Sequence, residues 1–451
     1  MLIRRAVASA ALLSLFLIGV LGGTGDGVDG PRRHGTALAG IPEPGGDADE
    51  PVLRSGMVAG GYAAALRQAT EVPVAPLTVS HSWVERGPFA TGGRITDLAR
   101  DDDVLYVATA SGGLWRSDDD GRTLQPAWPR DLVQPIGAVV VTAGGVLLAG
   151  TGEANAGGGS TTFPGTGLYR STDGGGTWTA SGLSDSATVA RLVAHPTDPD
   201  VVWVAAGGDL FGPGGERGIY RSDDAGLSWT RVLDGATPTT GGADLAIDPA
   251  DPTHLLASMW DRQRMPDLRR YGGPGSGLYE SFDGGRSWTP ITDGIPGFTD
   301  DAGRIAVAFS PADPAVAYAV VTRGDGRSAG FHRSEDGGST WTMVTNSARY
   351  AGSQFIFGWW FSKVFPAPED PDRVLVPGLT LLESNDGGAT FAADGRVHAD
   401  HHALLWDRED PSRAWLGSDG GLYHSTDGGR SFSWTLAQQQ PFTQPYTVAV
   451  P

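Results

Sequence analysis

Short apolar runs broken by glycine and polar residues recur from about Val79 to the end of the chain. GLYRS (167–171), GIYRS (218–222), GLYES (277–281) and GLYHS (421–425) put apolar and polar side chains on opposite faces, the period-two pattern of a strand. Each leads into Ser-x-Asp-x-Gly-x-(Thr/Ser)-(Trp/Phe), centred on Asp173, Asp224, Asp283, Asp336, Asp386 and Asp427. A degraded first copy surrounds Asp119, with Leu124 in the aromatic slot. The copies stand 41 to 59 residues apart, a blade-sized repeat. Each predicts a β-hairpin whose turn needs positive φ, with the Ser hydroxyl and Asp carboxylate accepting turn N–H groups and the aromatic residue packing between hairpins. The seven aspartates therefore read as structural.

A second periodic mark lies between the first two strands of successive units: HPTDPD (195–200), DPADP (248–252), SPADP (310–314), APEDP (367–371) and DREDP (407–411), each a Pro-containing tight turn. One unit is then strand, Asp-Pro turn, strand, variable loop, strand, carboxylate turn, strand. About seven such units predict an all-β fold, a β-propeller of four-stranded blades. Asp118-Asp119-Asp120-Gly121 imitates the front of a calcium loop, but no Glu follows at its twelfth position and no flanking helices are predicted, so no metal is expected. No cofactor is expected either.

Upstream of the repeats, Arg4 and Arg5 precede an apolar run from Ala6 to Leu21, the order of an export signal, with an uncleaved anchor as the alternative. The chain divides into residues 1–27 as signal or anchor, 28–78 as a Gly/Pro/Asp-rich linker with a weak helix near Met57 to Thr70, and 79–451 as the propeller. A secreted or cell-surface location follows. The chain has no Cys, so packing rather than disulfides must hold the exported domain together. The net charge of -19 argues against nucleic acid or an anionic membrane as partner, leaving membrane contact to the N-terminal segment, and a monomer is expected. Only Lys363 among the 33 basic residues is a lysine; this Arg-for-Lys bias suggests a high-GC bacterial genome.

Both periodic turns fall at one end of the strands, so the variable loops gather at the other, the usual place for binding. These are GTGEANAGGGSTTFPGTG (150–167), with Glu153 and Asn155, GGDLFGPGGERG (207–218), and WDRQRMPDLRRYGGPGSG (260–277), with Arg262 and Arg264. Arg94, Arg191 and Arg304 each open an innermost strand and are expected to point guanidiniums at the channel mouth, where they could hold a carboxylate or sulfate. The alternative is that they pair with Glu153, Asp400 or neighbouring carbonyls and plug the channel. VHADHHALLWD offers His398, Asp400, His401 and His402, with alternation sending His398, Asp400 and His402 to one side. His398 and Asp400 are the candidates for acid and base, or the group lines the channel. In FIFGWWFSKVF (355–365), Trp359 or Trp360 could stack on a sugar ring, while most of the run reads as inner-strand core.

The stretch 87–121, with GTGEAN, GPGSGLY, HADHHAL and LGSDGGLY, resembles a bacterial family of sortilin-like or glycosyl-hydrolase-like Asp-box (BNR-repeat) propellers, over nearly all of the expected mature chain. The resemblance implies either peptide binding, as in sortilin-type receptors, or carbohydrate chemistry, as in xyloglucan-active endoglucanases with two catalytic carboxylates. Their first catalytic Asp lies in a Thr-Asp-Ile-Gly-Gly stretch, matched here by Thr109, Ala110, Ser111, Gly112 and Gly113, so the carboxylate is replaced by Ala110. The expected function is an exported propeller binding an anionic glycan or peptide, the alternatives being a carbohydrate-active hydrolase or an assembly scaffold without small ligand. Relatives of this family usually run on past PYTVAV, which either closes the ring or marks a truncated propeller.

Overall fold

The computed structural model describes residues 93–154, 163–264 and 269–433, with Gln68 on its own. The expected signal segment, the expected linker apart from Gln68, Asn155 and PYTVAV lie outside the described residues; of the helix expected near 57–70, Gln68 is described and helical.

Among the described residues seven antiparallel blade sheets follow one another along the chain, each built outward from an innermost strand, and Gln263–Arg264 pairs with Arg269–Arg270 as a separate two-stranded ribbon. The innermost strands are Ile95–Asp101, Ile136–Val141, Val189–Ala194, Thr240–Ile247, Ala302–Phe309, Phe365–Pro366 and His401–Trp406, for blades 1 to 7. Blade 3 shows the plan: Val189–Ala194, Val202–Ala206, Gly218–Ser222 and Thr230–Leu233 pair in sequence order. Blade 7 shows three paired strands and a bridge between His424 and Ser433 in the fourth-strand position. This is the seven-bladed, all-β propeller that the repeat predicts.

The turns are built as their sequence requires. Ser171 Oγ accepts the Gly175 N–H at 2.9 Å and donates to Asp173 at 2.8 Å, while Asp173 accepts the Thr177 N–H and hydroxyl at 2.8 and 2.7 Å. Two successive positive-φ residues close the hairpin: Gly174 and Gly175 here, and Ala225 (φ 55) with Gly226 in blade 3. The turn also ties to the Asp-Pro turn of its own blade, through Ala225 N–H to Asp200 O at 2.8 Å and Gly284 N–H to Thr253 O at 2.9 Å, which fixes both at one end of the strands.

Apolar clusters fill every interface between neighbouring blades, and the residue after each turn enters the cluster shared with the preceding blade. Trp178 packs between blades 1 and 2, Trp229 between 2 and 3, and Trp341 between 4 and 5. Leu124, the non-aromatic copy, packs between blades 7 and 1 with Ile95, Trp415 and Leu422. The ring thus closes within the described residues by side-chain packing.

One expectation is corrected. The run 355–365 is not chiefly an inner strand: after helix α1 (Ala348–Gln354), Phe355 takes a left-handed φ of 48 and the chain forms a single turn α2 (Gly358–Phe361), leaving only Phe365 and Pro366 as strand. A short apolar run has no period that separates strand from buried helix. Gly358 decides here, because its N–H binds Gly326 O at 2.9 Å and a Cβ would meet that oxygen at 2.8 Å.

Candidate functional site

The channel mouth opposite the turns is shaped by a recurring irregularity. Pairing of the first two strands slips by one residue between Ile95 and Asp97, Gly242 and Asp244, His401 and Ala403, and Ala302 and Ile305. Such bulges re-aim side chains. They take Arg304 and His402 out of simple alternation, while His398, Asp400 and His402 all interact with the Asp419 carboxylate. Asp400 precedes the strand with φ 65, His398 is exposed, and His401 and His402 are both 1% exposed.

Arg94 anchors one half of the mouth. It donates to Glu153 at 3.0 Å, lies 3.8 Å from Asp419 and sits 5.0 Å from the Trp360 ring centroid. His402 Nε2 donates to Asp419 at 2.8 Å, and Asp419 N–H binds Asp400 O at 2.9 Å. Burial lifts the Glu153 pKa to about 7 against the pull of Arg94. Burial, with the Asp419 charge, also lifts Asp400 to about 6. Burial works against the Asp419 charge too, but the His402 hydrogen bond and the His402 and Arg94 charges outweigh it and hold its pKa below the usual value. Glu153 Oε1, Asp400 Oδ1 and His402 Nδ1 have no hydrogen-bond partner.

The other half is organised by α2 and Lys363. Arg304, fully buried, donates to the Trp359 and Trp360 carbonyls at 3.1 and 3.3 Å, and burial pulls its pKa down to about 10. Lys363 Nζ reaches across to Thr96 O of blade 1 at 3.0 Å; burial pulls it to about 8, with Asp97 opposing. Asp97 Oδ2 accepts Val139 N–H of blade 2 and Asp244 Oδ2 accepts Val307 N–H of blade 5, at 3.1 and 3.2 Å. Between these carboxylates lies Arg191, at 3.6 Å from Asp97 and 3.7 Å from Asp244, with its side chain 32% exposed.

Arg262 is buried against Trp260 and donates to the Ala154 carbonyl and to the Thr188 hydroxyl. Arg264 is buried as well. Trp359 is 3% exposed and stacks on Tyr271 at 4.5 Å, whereas Trp360 is half-buried. Arg94, Glu153, Trp360, His402 and Asp400 are therefore brought together, Arg191 lies beside Lys363's charged neighbours, and Trp359 and Arg262 face inward. Ala110 is 2% exposed and gives its N–H to Arg94 O at 3.0 Å, so this position next to the Arg94 backbone carries no carboxylate.

Sequence reading missed Asp97, Asp244, Asp419 and Lys363. A signal existed for each: a carboxylate among the buried positions of the strands ITDLARD and GGADLAI, the Asp of LGSDGGLY, and the chain's single lysine. Their neighbours are long-range, which the local pattern does not reveal.

Fold and site together define a seven-bladed propeller with a charged, helix-covered mouth. The family model Sortilin-Vps10, described as sortilin, neurotensin receptor 3, matches residues 166–304. A xyloglucanase of Paenibacillus sp is 28% identical over 194 residues, 43% of this chain and 16% of that protein. A xyloglucanase of Hypocrea jecorina is 29% identical over 228 residues, 49% of this chain and 22% of that protein. The chain thus spans under a quarter of the length of these curated relatives. Among solved structures, an ancestral GH74 enzyme superimposes with a TM-score of 0.56 at 17% identity, covering 79% of this chain and 48% of that one; this likeness concerns the fold. Together with the seven-blade ring, these findings support a sortilin-like, glycosyl-hydrolase-like propeller family for this chain. No helix among the described residues is long and apolar enough to cross a membrane.

Proposed function

We propose that this is an extracytoplasmic Asp-box propeller that binds a carbohydrate at the channel mouth, through an acidic group held by Arg191. The observation that carries this reading is the state of Arg191: a third of its side chain is exposed and its carboxylate neighbours stand at 3.6 and 3.7 Å, beyond hydrogen-bond distance. Arg94 and Arg304, by contrast, are buried among protein acceptors. A uronic acid or sulfate would offer Arg191 the forked acceptor that Asp97 and Asp244, occupied by backbone N–H groups, do not supply. Carbohydrate is preferred to peptide because the relatives named above are xyloglucanases, and binding to cleavage because Ala110 stands where the resemblance places the first carboxylate. The test is affinity on a glycan array that includes xyloglucan and acidic polysaccharides, for the parent and Arg191→Ala. The variant is expected to lose affinity for acidic glycans far more than for neutral ones, and binding to weaken as salt rises. Unchanged acidic-glycan affinity in the variant would sink the proposal.

One observation favours a second reading, a carbohydrate-active hydrolase. Asp400 and Asp419 are adjacent through a backbone hydrogen bond and their pKa values are pushed in opposite directions, the condition for one acid and one base. Asp400 would protonate the leaving oxygen, with Asp419 or His398 taking a proton from water. Release of reducing ends from any array ligand, abolished in Asp400→Asn, would favour this reading.

A further inference from the structure

Lys363, the chain's only lysine, follows α2 in the connection between blades 5 and 6 and is buried. Its Nζ donates to Thr96 O of blade 1 at 3.0 Å, the one acceptor it reaches among the described residues, so a single one of its N–H groups is matched. The next residue of that strand is Asp97, whose Oδ1 lies 3.6 Å from Arg191 Nη1 and whose Oδ2 accepts the Val139 N–H. Asp97 is therefore the counter-charge of two cations, Arg191 and Lys363, while half of its carboxylate is spent on the main chain.

The other charges that meet Lys363 come from all round the channel. Asp244 of blade 4 supports its charge, and Arg191 of blade 3 and Arg304 of blade 5 oppose it. Glu153 of the blade 2 loop and His402 of blade 7 feel the Lys363 charge in turn. Burial is the largest influence and pulls the amine to about 8, so that it exchanges its proton under mild conditions. An anion placed at Arg191 joins this group of charges beside Asp97 and favours the protonated amine, as any opposite charge does. By reciprocity the protonated amine favours the anion, and a neutral ligand has no such coupling. The coupling runs through charge, and the ligand need not touch the buried amine.

Given Arg191 as the acid-binding group, the reading proposed above on which this depends, we infer that Lys363 is a specificity-determining residue of the same site: an acidic group arriving at Arg191 is bound together with a proton taken up by Lys363, and a neutral glycan is bound without one. The proton comes from solvent and adds to the amine lone pair, with no covalent bond of the ligand changed. Discrimination of acidic from neutral glycans is then strongest where Lys363 is charged and fades as the amine is titrated.

The experiment is a calorimetric titration of the whole protein with a chondroitin sulfate disaccharide, which carries one carboxylate and one sulfate, and with cellobiose as its uncharged counterpart. Runs at about pH 8.5 in buffers of different ionisation enthalpy read the protons taken up on binding. The acidic disaccharide should take up a fraction of a proton and cellobiose none. Affinity for the acidic disaccharide should fall about tenfold between about pH 7 and about pH 10, the change that one pKa unit of coupling gives. Glu153 and Asp400, lifted to about 7 and about 6, exchange their protons chiefly at lower pH. Lys363→Arg, whose charge persists at every pH, should abolish the uptake and flatten the affinity over that range. In the parent sequence, the resonance of ¹³C-dimethylated Lys363 should titrate at higher pH with the acidic disaccharide bound. Uptake that survives in Lys363→Arg or accompanies cellobiose, or acidic-disaccharide binding with neither uptake nor a shift of that resonance, would overturn the inference and leave Arg191 its role. No binding by the parent, or binding unchanged in Arg191→Ala, would remove the Arg191 reading and this inference with it.

Discussion

At the scale of single residues, most of the repeated chemistry is devoted to making turns. Asp173 is held near a pKa of about 2, first by the Thr177 N–H, then by the Thr177 and Ser171 hydroxyls, all of which bind the charged form. The sign follows from linkage: a carboxylate whose folded pKa is depressed stabilises the fold above its unfolded pKa, and that contribution is lost as pH falls through the folded one. The window for Asp173 therefore runs from its unfolded value near 4 down to about 2. Thermal unfolding of Asp173→Ala should show a lowered Tm at neutral pH, with the gap to the parent narrowing in that acid window and ligand preference unchanged. A variant as heat-resistant as the parent but unable to bind would assign Asp173 to the ligand. Roles of this kind were legible in the sequence because Ser171, Asp173 and Thr177 find their partners within four residues of one another. The mouth residues were legible as candidates only. His402 and Arg304 are aimed by bulges, and Arg94 by a glutamate 59 positions away.

At the scale of elements, the connection from blade 5 to blade 6 departs most from the repeat. It folds as α1, which packs against the third strands of blades 5 and 6, and α2, which is fastened at the mouth on three sides, by Arg304 to the α2 carbonyls, by Arg94 over Trp360 and by Lys363 to Thr96. Lys363 gives a direct handle on this cover, because it is the only lysine in the chain. Reductive methylation with ¹³C-formaldehyde should yield one side-chain resonance titrating near pH 8 in the folded protein and near the ordinary lysine value in denaturant. With the folded pKa below the unfolded one, the protonated amine is the form the fold disfavours. This group's cost is thus fully present below pH 8 and relieved as pH rises toward 10.5. An ordinary titration in the folded state would mean that Lys363 faces solvent and does not fasten the cover.

For the molecule as a whole, the blade 7 to blade 1 junction must hold the ring together. Beyond the apolar cluster of Ile95, Trp415 and Leu422, it carries an ion-pair chain. Arg100 of blade 1 donates to Asp407 of blade 7, and Arg413 of blade 7 donates to Asp120 of blade 1 while lying 3.4 Å from Asp407. Both guanidiniums lie against the Trp415 ring, at 5.1 and 5.3 Å. Asp407 is 4% exposed, so Asp407→Asn leaves largely buried guanidiniums without their shared anion and should cost about 3 kcal/mol in a denaturant titration. A cost within the error of that titration would show that packing alone closes the ring.

The sequence by itself determined the blade count, the order of strands, the turn chemistry and the end of the strands at which the turns gather. Each of these depends on residues that are near neighbours or that recur with a period, and local physics is enough to specify them. It also marked Ala110, Arg191 and the HADHHAL stretch as places to look. Only the tertiary structure decided that Trp359 is buried, that α2 covers the mouth, that Arg94 is taken by Glu153 and Asp419, and that Arg191 keeps an open side. These outcomes depend on which charges from different blades meet across the channel, where burial sets which group keeps its proton and which finds a partner.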